Sequence, residues 1–190
     1  MNIVDKKCID FAGQANIIFN ASIVTLNGLM LGPGIANRDG QTAYFWKIKG
    51  SYIVGSVNSY DSNQAFRVVI VVDSQSNMGA PNYYDVFQSN YLNTDQQRDT
   101  GSRFKFLYDR ISTLGMIGYD GKRGTIVEEF NLKFKEPIVT QYIDGASTGT
   151  YLDISKNAIF MIIFGQETYA THGYLGTFYV RCTFTDVNVK

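Results

Sequence analysis

Arg67-Val68-Val69-Ile70-Val71-Val72-Asp73-Ser74-Gln75 is a run of β-branched residues, opened by an arginine and closed by a polar turn. So continuous an apolar run suits a central strand covered on at least one face. Upstream lies a second patterned segment, residues 38–50, and the link between them, 55–64, is short and polar. The two read as an antiparallel pair. Residues 42–54 alternate, with Tyr44, Trp46, Ile48, Tyr52 and Val54 on one face and Phe45, Lys47, Lys49 and Ser51 on the other. Period two with one polar face predicts a half-buried strand, and places Trp46 in the core.

The same reading extends in both directions. Residues 3–11 predict a short edge strand and 16–26 a strand proper. The segment 27–37, with Gly28, Gly32, Pro33 and Gly34, predicts a loop. Further strands are expected at 103–116, 125–136, 138–143, 158–164 and 174–185, with a hairpin turn at Asp120-Gly121-Lys122-Arg123-Gly124. Between the strands at 65–73 and 103–116 runs a polar stretch, 74–102, containing Pro81-Asn82-Tyr83-Tyr84-Asp85-Val86-Phe87. A loop of that length predicts one or two helical turns and a role in binding or subunit contact. No amphipathic helix longer than two turns and no internal repeat is present, which disfavours propellers and solenoids. The expectation is one all-β domain over 1–190, a single jelly roll of two packed four-stranded antiparallel sheets.

Composition agrees. The 190 residues are 45% hydrophobic, enough for a core, and only 18% charged, against about 25% in ordinary globular chains. Tyr and Phe number 13 each, Gly 18 and Pro 3, a balance that favours β structure with large buried or interfacial surfaces. A formal net charge of zero argues against strong nonspecific nucleic-acid binding by the chain as a whole, so any such role needs a local patch. Cys8 and Cys182 lack metal-ligand spacing and read as free thiols. No apolar h-region opens the chain and nothing approaches the ~18 apolar residues of a membrane span, so a reducing, intracellular setting is expected.

Enzymatic motifs are weak. Gly145-Ala146-Ser147-Thr148-Gly149 matches G-x-S-x-G, which needs a strand-to-helix elbow and a histidine. The residues that follow do not read as a helix, and the single histidine, His172, sits beside Gly173 as a turn residue. Asn20-Ala21-Ser22 is a sequon without a secretion signal. Asp95, Asp144 and Asp153 are scattered acids of the kind that hold calcium between subunits, but no ligand spacing supports a metal site; no cofactor and no enzymatic activity are expected.

Arg38-Asp39-Gly40 leading into a long strand, followed by the 67–75 run ending Asp-Ser-Gln, resembles the capsid proteins of CRESS-DNA (circovirus-like) viruses, in which such steps open the strands called C and D. The Gly32-Pro33-Gly34 loop, the aromatic 83–87 segment and the last strand pair are also similar to that group, as they are to satellite plant-virus coat proteins sharing the single jelly roll. The resemblance implies self-assembly into a small icosahedral T=1 shell around single-stranded DNA, in a virion assembled in the host nucleus or cytoplasm. Those proteins begin with an Arg/Lys-rich arm, where this chain has only Lys6 and Lys7, so genome contact is expected to be weak. In the family's strand order Lys47/Lys49, Arg103/Lys105 and Lys133/Lys135 fall in one outward sheet, a candidate patch for a host glycan such as heparan sulfate; a solvated outer face accounts for the same lysines. Arg67 and Arg181, with Lys6 and Lys7 nearby, fall to the inner sheet as candidate phosphate contacts, and salt bridges at a subunit contact account for them equally well. The rival reading is a carbohydrate-binding jelly-roll module, against which a buried Trp46 would count.

Overall fold

The computed structural model of the chain describes residues 6–17, 21–56, 64–76, 78–89, 93–97, 102–114, 125–165 and 174–186. The strands are β1 (Lys7–Ile17), β2 (Ser22–Thr25), β3 (Thr42–Ser56), β4 (Gln64–Asp73), β5 (Phe104–Leu114), β6 (Thr125–Tyr142), β7 (Ile154–Lys156), β8 (Ala158–Gly165) and β9 (Tyr174–Thr185), with one helical turn, α1 (Tyr83–Val86), and a 3₁₀ turn at Tyr151–Asp153. They form a five-stranded sheet in the order β1-β9-β3-β6-β7 and a four-stranded sheet in the order β2-β8-β4-β5, antiparallel throughout. The chain crosses from sheet to sheet at β1–β2, β2–β3, β3–β4, β5–β6, β7–β8 and β8–β9. That order is a jelly roll. The expected four-plus-four arrangement is corrected by β7, a short strand added to the free edge of β6 opposite Gln141 and Tyr142.

The core forms between the sheets from the inward rows of both. Ile48, Tyr52, Val54, Phe178, Val180, Cys182 and Phe184 of the larger sheet are buried against Phe66, Val68, Ile70, Ile159, Met161 and Ile163 of the smaller. At Gly50 the inward position is already occupied: a Cβ there would lie 2.7 Å from Phe130 Cζ and 2.5 Å from the Tyr179 carbonyl oxygen.

β3 does not keep one parity. Phe45 pairs with Ile138, but Lys47 pairs with Lys133, so Trp46 alone faces the segment 134–137 across a bulge. Pro137, which has no N–H for the ladder, is accommodated there. The predicted strands 125–136 and 138–143 are therefore one bulged strand, β6. The bulge brings Ala43 and Phe45 inward on one side and Ile48, Tyr52 and Val54 inward on the other. Trp46 is left half-buried, its Nε1–H donating to Thr185 Oγ1 at 3.1 Å. This corrects the expectation that Trp46 lies in the core. It also corrects Tyr44, which is half-buried.

The excursion after β4 folds back onto its own sheet. Asn82 caps α1: its side chain accepts from the Tyr84 N–H, and Asp85 accepts from the Asn82 N–H at 2.7 Å. Tyr83 and Phe87 meet Phe164 at ring distances of 4.9 and 5.3 Å, and Phe87 meets Phe106 at 5.8 Å. Arg67, opposite Phe164 in the register, grips Asp109 through Nε at 2.7 Å and Nη2 at 2.5 Å, and donates from Nη1 to the Thr94 carbonyl at 2.7 Å. Arg103 closes the base of the excursion with two 2.7 Å bonds to fully buried Asp73. A third layer therefore covers β4 and β8, which is why β8 is buried along its whole length and β4 can be apolar on both faces.

Candidate functional site

The excursion covers β4 and β8, while β5 keeps Lys105, Asp109, Arg110, Ile111 and Thr113 exposed; the outer face of the larger sheet is exposed as well. The register orders its outer side chains into cross-strand rows. Asp10, Arg181, Lys49 and Asn131 form one row; Cys8, Thr183, Lys47 and Lys133 form the next; Ala12, Tyr179, Ser51 and Glu129 lie on the other side of the first. Lys47 faces Lys133 directly and Lys49 faces Arg181 directly, two like-charge pairs of the sort that cost stability in a sheet. Arg181 is held by Asp10 in a two-pronged pair at 2.6 and 2.7 Å. That hydrogen bond keeps the Asp10 carboxyl below its ordinary value. Lys47, Lys49 and Lys133 form no ion pair among the described residues.

Beside these lysines the sheet surface is hollowed into a cleft of about 450 Å³. It is lined by Lys49, Gly50, Ser51, Glu129, Phe130, Asn131 and Tyr179. Tyr179 stands out from the sheet, with the Arg181 guanidinium 5.9 Å from its ring centre. None of the wall residues except Lys49 stood out in the sequence. Ser51, Glu129, Asn131 and Tyr179 come together only through the β9–β3–β6 register.

A second exposed feature lies at one end of the sandwich, in the loops 27–40 and 143–153. Arg38 is buried without a carboxylate. It donates to the carbonyls of Gly40 and Ala146 and stacks 4.3 Å over the Tyr142 ring. Asn27, also buried, donates to Thr140 Oγ1 and the Asn157 carbonyl and accepts from the Ile159 N–H, while its carbonyl takes the Tyr142 hydroxyl. Gly149, at φ +71°, fits beneath Met30 where a Cβ would fall 2.7 Å from Met30 Cγ. Lys7 ties the rim, reaching Asp39 and Asp186 at 2.6 Å each and the Asn37 carbonyl at 3.1 Å. Burial pulls the Lys7 ammonium down, but bonds to Asp186 and Asp39 outweigh it and raise its pKa. These fixed loops hold Met30, Leu31, Ile35 and Leu152 out to solvent, with Ile35 75% exposed.

The basic residues singled out from the sequence separate into new groups. Lys47, Lys49 and Lys133 share a face with Arg181, contrary to the division into outer and inner sheets. Lys135 is exposed at the β6 bulge. Lys105 belongs to the other sheet and Arg103 immediately precedes its strand; Arg103 is tied to Asp73, and its pKa is raised by that bond. The six-residue patch therefore does not form, because the strands that carry it fall in two sheets. Arg67 is buried beneath Phe87 and is no surface cation. Lys6 is exposed and Lys7 is committed to its two aspartates. The aromatics of the 83–87 segment, expected at a subunit contact, are buried on their own sheet except Tyr84.

The Gly145–Gly149 segment is a loop leading into a 3₁₀ turn, with no elbow. Buried Asp153 accepts from Thr148 Oγ1 and the Gly149 N–H at 2.7 Å each. His172, residues 120–124 and Asn20 lie outside the described residues. Cys182 is buried, which pushes its thiol well up, and Cys8 is half-buried on the outer face. No group of metal-ligating side chains occurs among the described residues, and none of their helices is long and apolar enough to cross a membrane.

No protein-family model and no curated protein matches the chain. Several solved structures similar to it are viral. The Desmodium yellow mottle tymovirus protein is 8% identical with a TM-score of 0.35, over 98% of this chain and 92% of that one. The KBV activated particle at acidic pH gives 12% and 0.40, over 98% and 71%. The BFDV capsid protein, solved as a 60-mer, gives 8% and 0.36, over 100% and 98%. At these scores the likeness carries no weight of its own, and the jelly roll rests on the strand order.

Proposed function

We propose that this chain is a viral capsid subunit that self-assembles into a small icosahedral T=1 shell around a single-stranded DNA genome. The observation that carries this reading is the pre-formed apolar end of the sandwich. Loops locked by Arg38 and Asn27 present Met30, Leu31, Ile35 and Leu152 to solvent. Holding large apolar side chains rigidly in water is unfavourable unless another surface covers them. A rigid single jelly roll with one such end suits repeated contacts with copies of itself, closed by symmetry. The chemistry is physical and no enzymatic step is invoked.

A second reading, a carbohydrate-binding module, is favoured by half-exposed Trp46 and by the cleft beside Tyr179. Light scattering behind a gel-filtration column, over a range of salt, with negative-stain images of the main peak, separates the two. Uniform hollow particles are expected. A monomer or small oligomer under every condition would reject the shell in favour of the module, and a glycan array would then identify its sugar.

A further inference from the structure

We propose that the outer face of the five-stranded sheet is a contact site for single-stranded nucleic acid, with a subsite for one base in the cleft between Tyr179 and Asn131. The proposal deepens the reading as a genome-enclosing subunit and rests on it for the identity of the strand. The face itself is read from charge, shape and register.

The first observation is the placement of charge. The chain is neutral overall, yet Lys47, Lys49 and Lys133 crowd two adjacent rows without an ion pair among the described residues. Direct opposition of Lys47 and Lys133 is unfavourable in isolation and is relieved by an anion lying between them. Arg181, neutralised by Asp10, lies beside Lys49 and fixes the edge of the band.

The second is the cleft. A positively charged track beside an exposed aromatic ring is the combination that binds single strands, with phosphates on the cations and bases stacked on the ring. Tyr179 supplies the ring. Across from it, the Asn131 amide, the Ser51 hydroxyl and the Glu129 carboxylate offer donors and acceptors to a base edge. Glu129 also discriminates between ligands. A carboxylate in the wall repels a sulfated sugar but accepts from the N–H groups of a base, above all the paired N1–H and N2–H of guanine. The cleft volume, about 450 Å³, lies within the usual range for small-ligand sites.

The test is fluorescence anisotropy of the full chain with labelled mixed-sequence single-stranded DNA, titrated at several salt concentrations. Lys47→Gln/Lys133→Gln should weaken binding and reduce the salt slope by about 1.4, two contacts at roughly 0.7 each. Tyr179→Ala should weaken binding roughly tenfold or more with the slope unchanged, and Tyr179→Phe should restore it. An abasic oligonucleotide should be insensitive to Tyr179→Ala. Wild-type affinity in both the lysine and the alanine variants would overturn the proposal. So would heparin fragments binding as tightly as DNA with no dependence on Tyr179, which would assign the lysines to a sulfated glycan. Particle formation is scored separately by light scattering. Shells that form without this DNA contact defeat the inference alone, and DNA contact without shells defeats the shell reading.

Discussion

Removing the carboxylate of Asp109 tests whether Arg67 is a clasp or a surface cation. Its partner guanidinium is only 9% exposed, while Asp109 itself is 37% exposed. Breaking a fully buried ion pair by removing one partner costs about 3–5 kcal/mol. Solvent around Asp109 screens part of this, so Asp109→Ala should cost about 2–3 kcal/mol. The stranded guanidinium would still hold the Thr94 carbonyl but would sit desolvated against Phe87. For a domain near this size each kcal/mol lowers Tm by about 2–4 °C, giving a fall of roughly 4–12 °C. Circular dichroism reads the melt, and hydrogen exchange reads the amides of residues 83–89, which should open ahead of the sheets. Arg67→Met, which removes the charge and keeps much of the apolar volume, should cost less than Asp109→Ala. A Tm within about 1 °C of wild type, with exchange at 83–89 unchanged, would be the behaviour of an exposed pair worth under about 1 kcal/mol and would refute the clasp.

Other consequences are as direct. Ile35→Asp/Leu152→Asp should leave the melting temperature nearly unchanged and abolish large particles in light scattering, since both side chains are exposed. Gly50→Ala should destabilise by about 1–3 kcal/mol through overpacking against Phe130 and the Tyr179 carbonyl, read as a lower urea midpoint at constant m-value. The bonds from Lys7 to Asp39 and from Arg181 to Asp10 hold both carboxyls below their ordinary values. Their stabilisation is therefore complete above the unfolded carboxylate value near 4 and is lost as the pH falls through the depressed native values. Asp10→Asn/Asp39→Asn should flatten the acid limb of a Tm–pH profile while leaving its shape between pH 6 and 8 unaltered, roughly two units or more above the titration.

The strands were legible because their signals are local. The 67–73 run, the alternation at 174–185 and the apolar 158–164 segment each fold as read, and β9 has the expected bounds. What escaped depends on partners far along the chain. The parity of β3 changes at Trp46 because Trp46 is an extra residue between the Phe45–Phe184 and Lys47–Thr183 pairs with β9, and that mismatch is set by strands far along the chain. Arg67 looked like a free cation because its acceptors, Asp109 and the Thr94 carbonyl, lie 42 and 27 residues downstream. The basic patch failed at the level of topology: period-two spacing was correct on each strand, but sheet membership decides which strands share a face. Buried Arg38 carried a signal that could have been pressed further, since an arginine ahead of Asp-Gly and a long strand, beside few acids, invites a search for carbonyl partners. The apolar end was visible only as a Gly- and Pro-containing loop, because exposure of Met30 and Ile35 follows from how Arg38 pins it.

The third layer gives the molecule a clothed side and a bare side. β4 and β8 of the smaller sheet wear the excursion of their own chain, sealed by Arg67 and Arg103, so on that side only the edge strand β5 is open to anything outside. The larger sheet wears nothing among the described residues, and its side chains stand in the open in the order the register dictates. Any assembly that orients every copy alike inherits this difference as an inside and an outside of distinct chemistry. It does so without an added domain, and a substitution on the bare side can alter what that surface meets without touching the seal on the other.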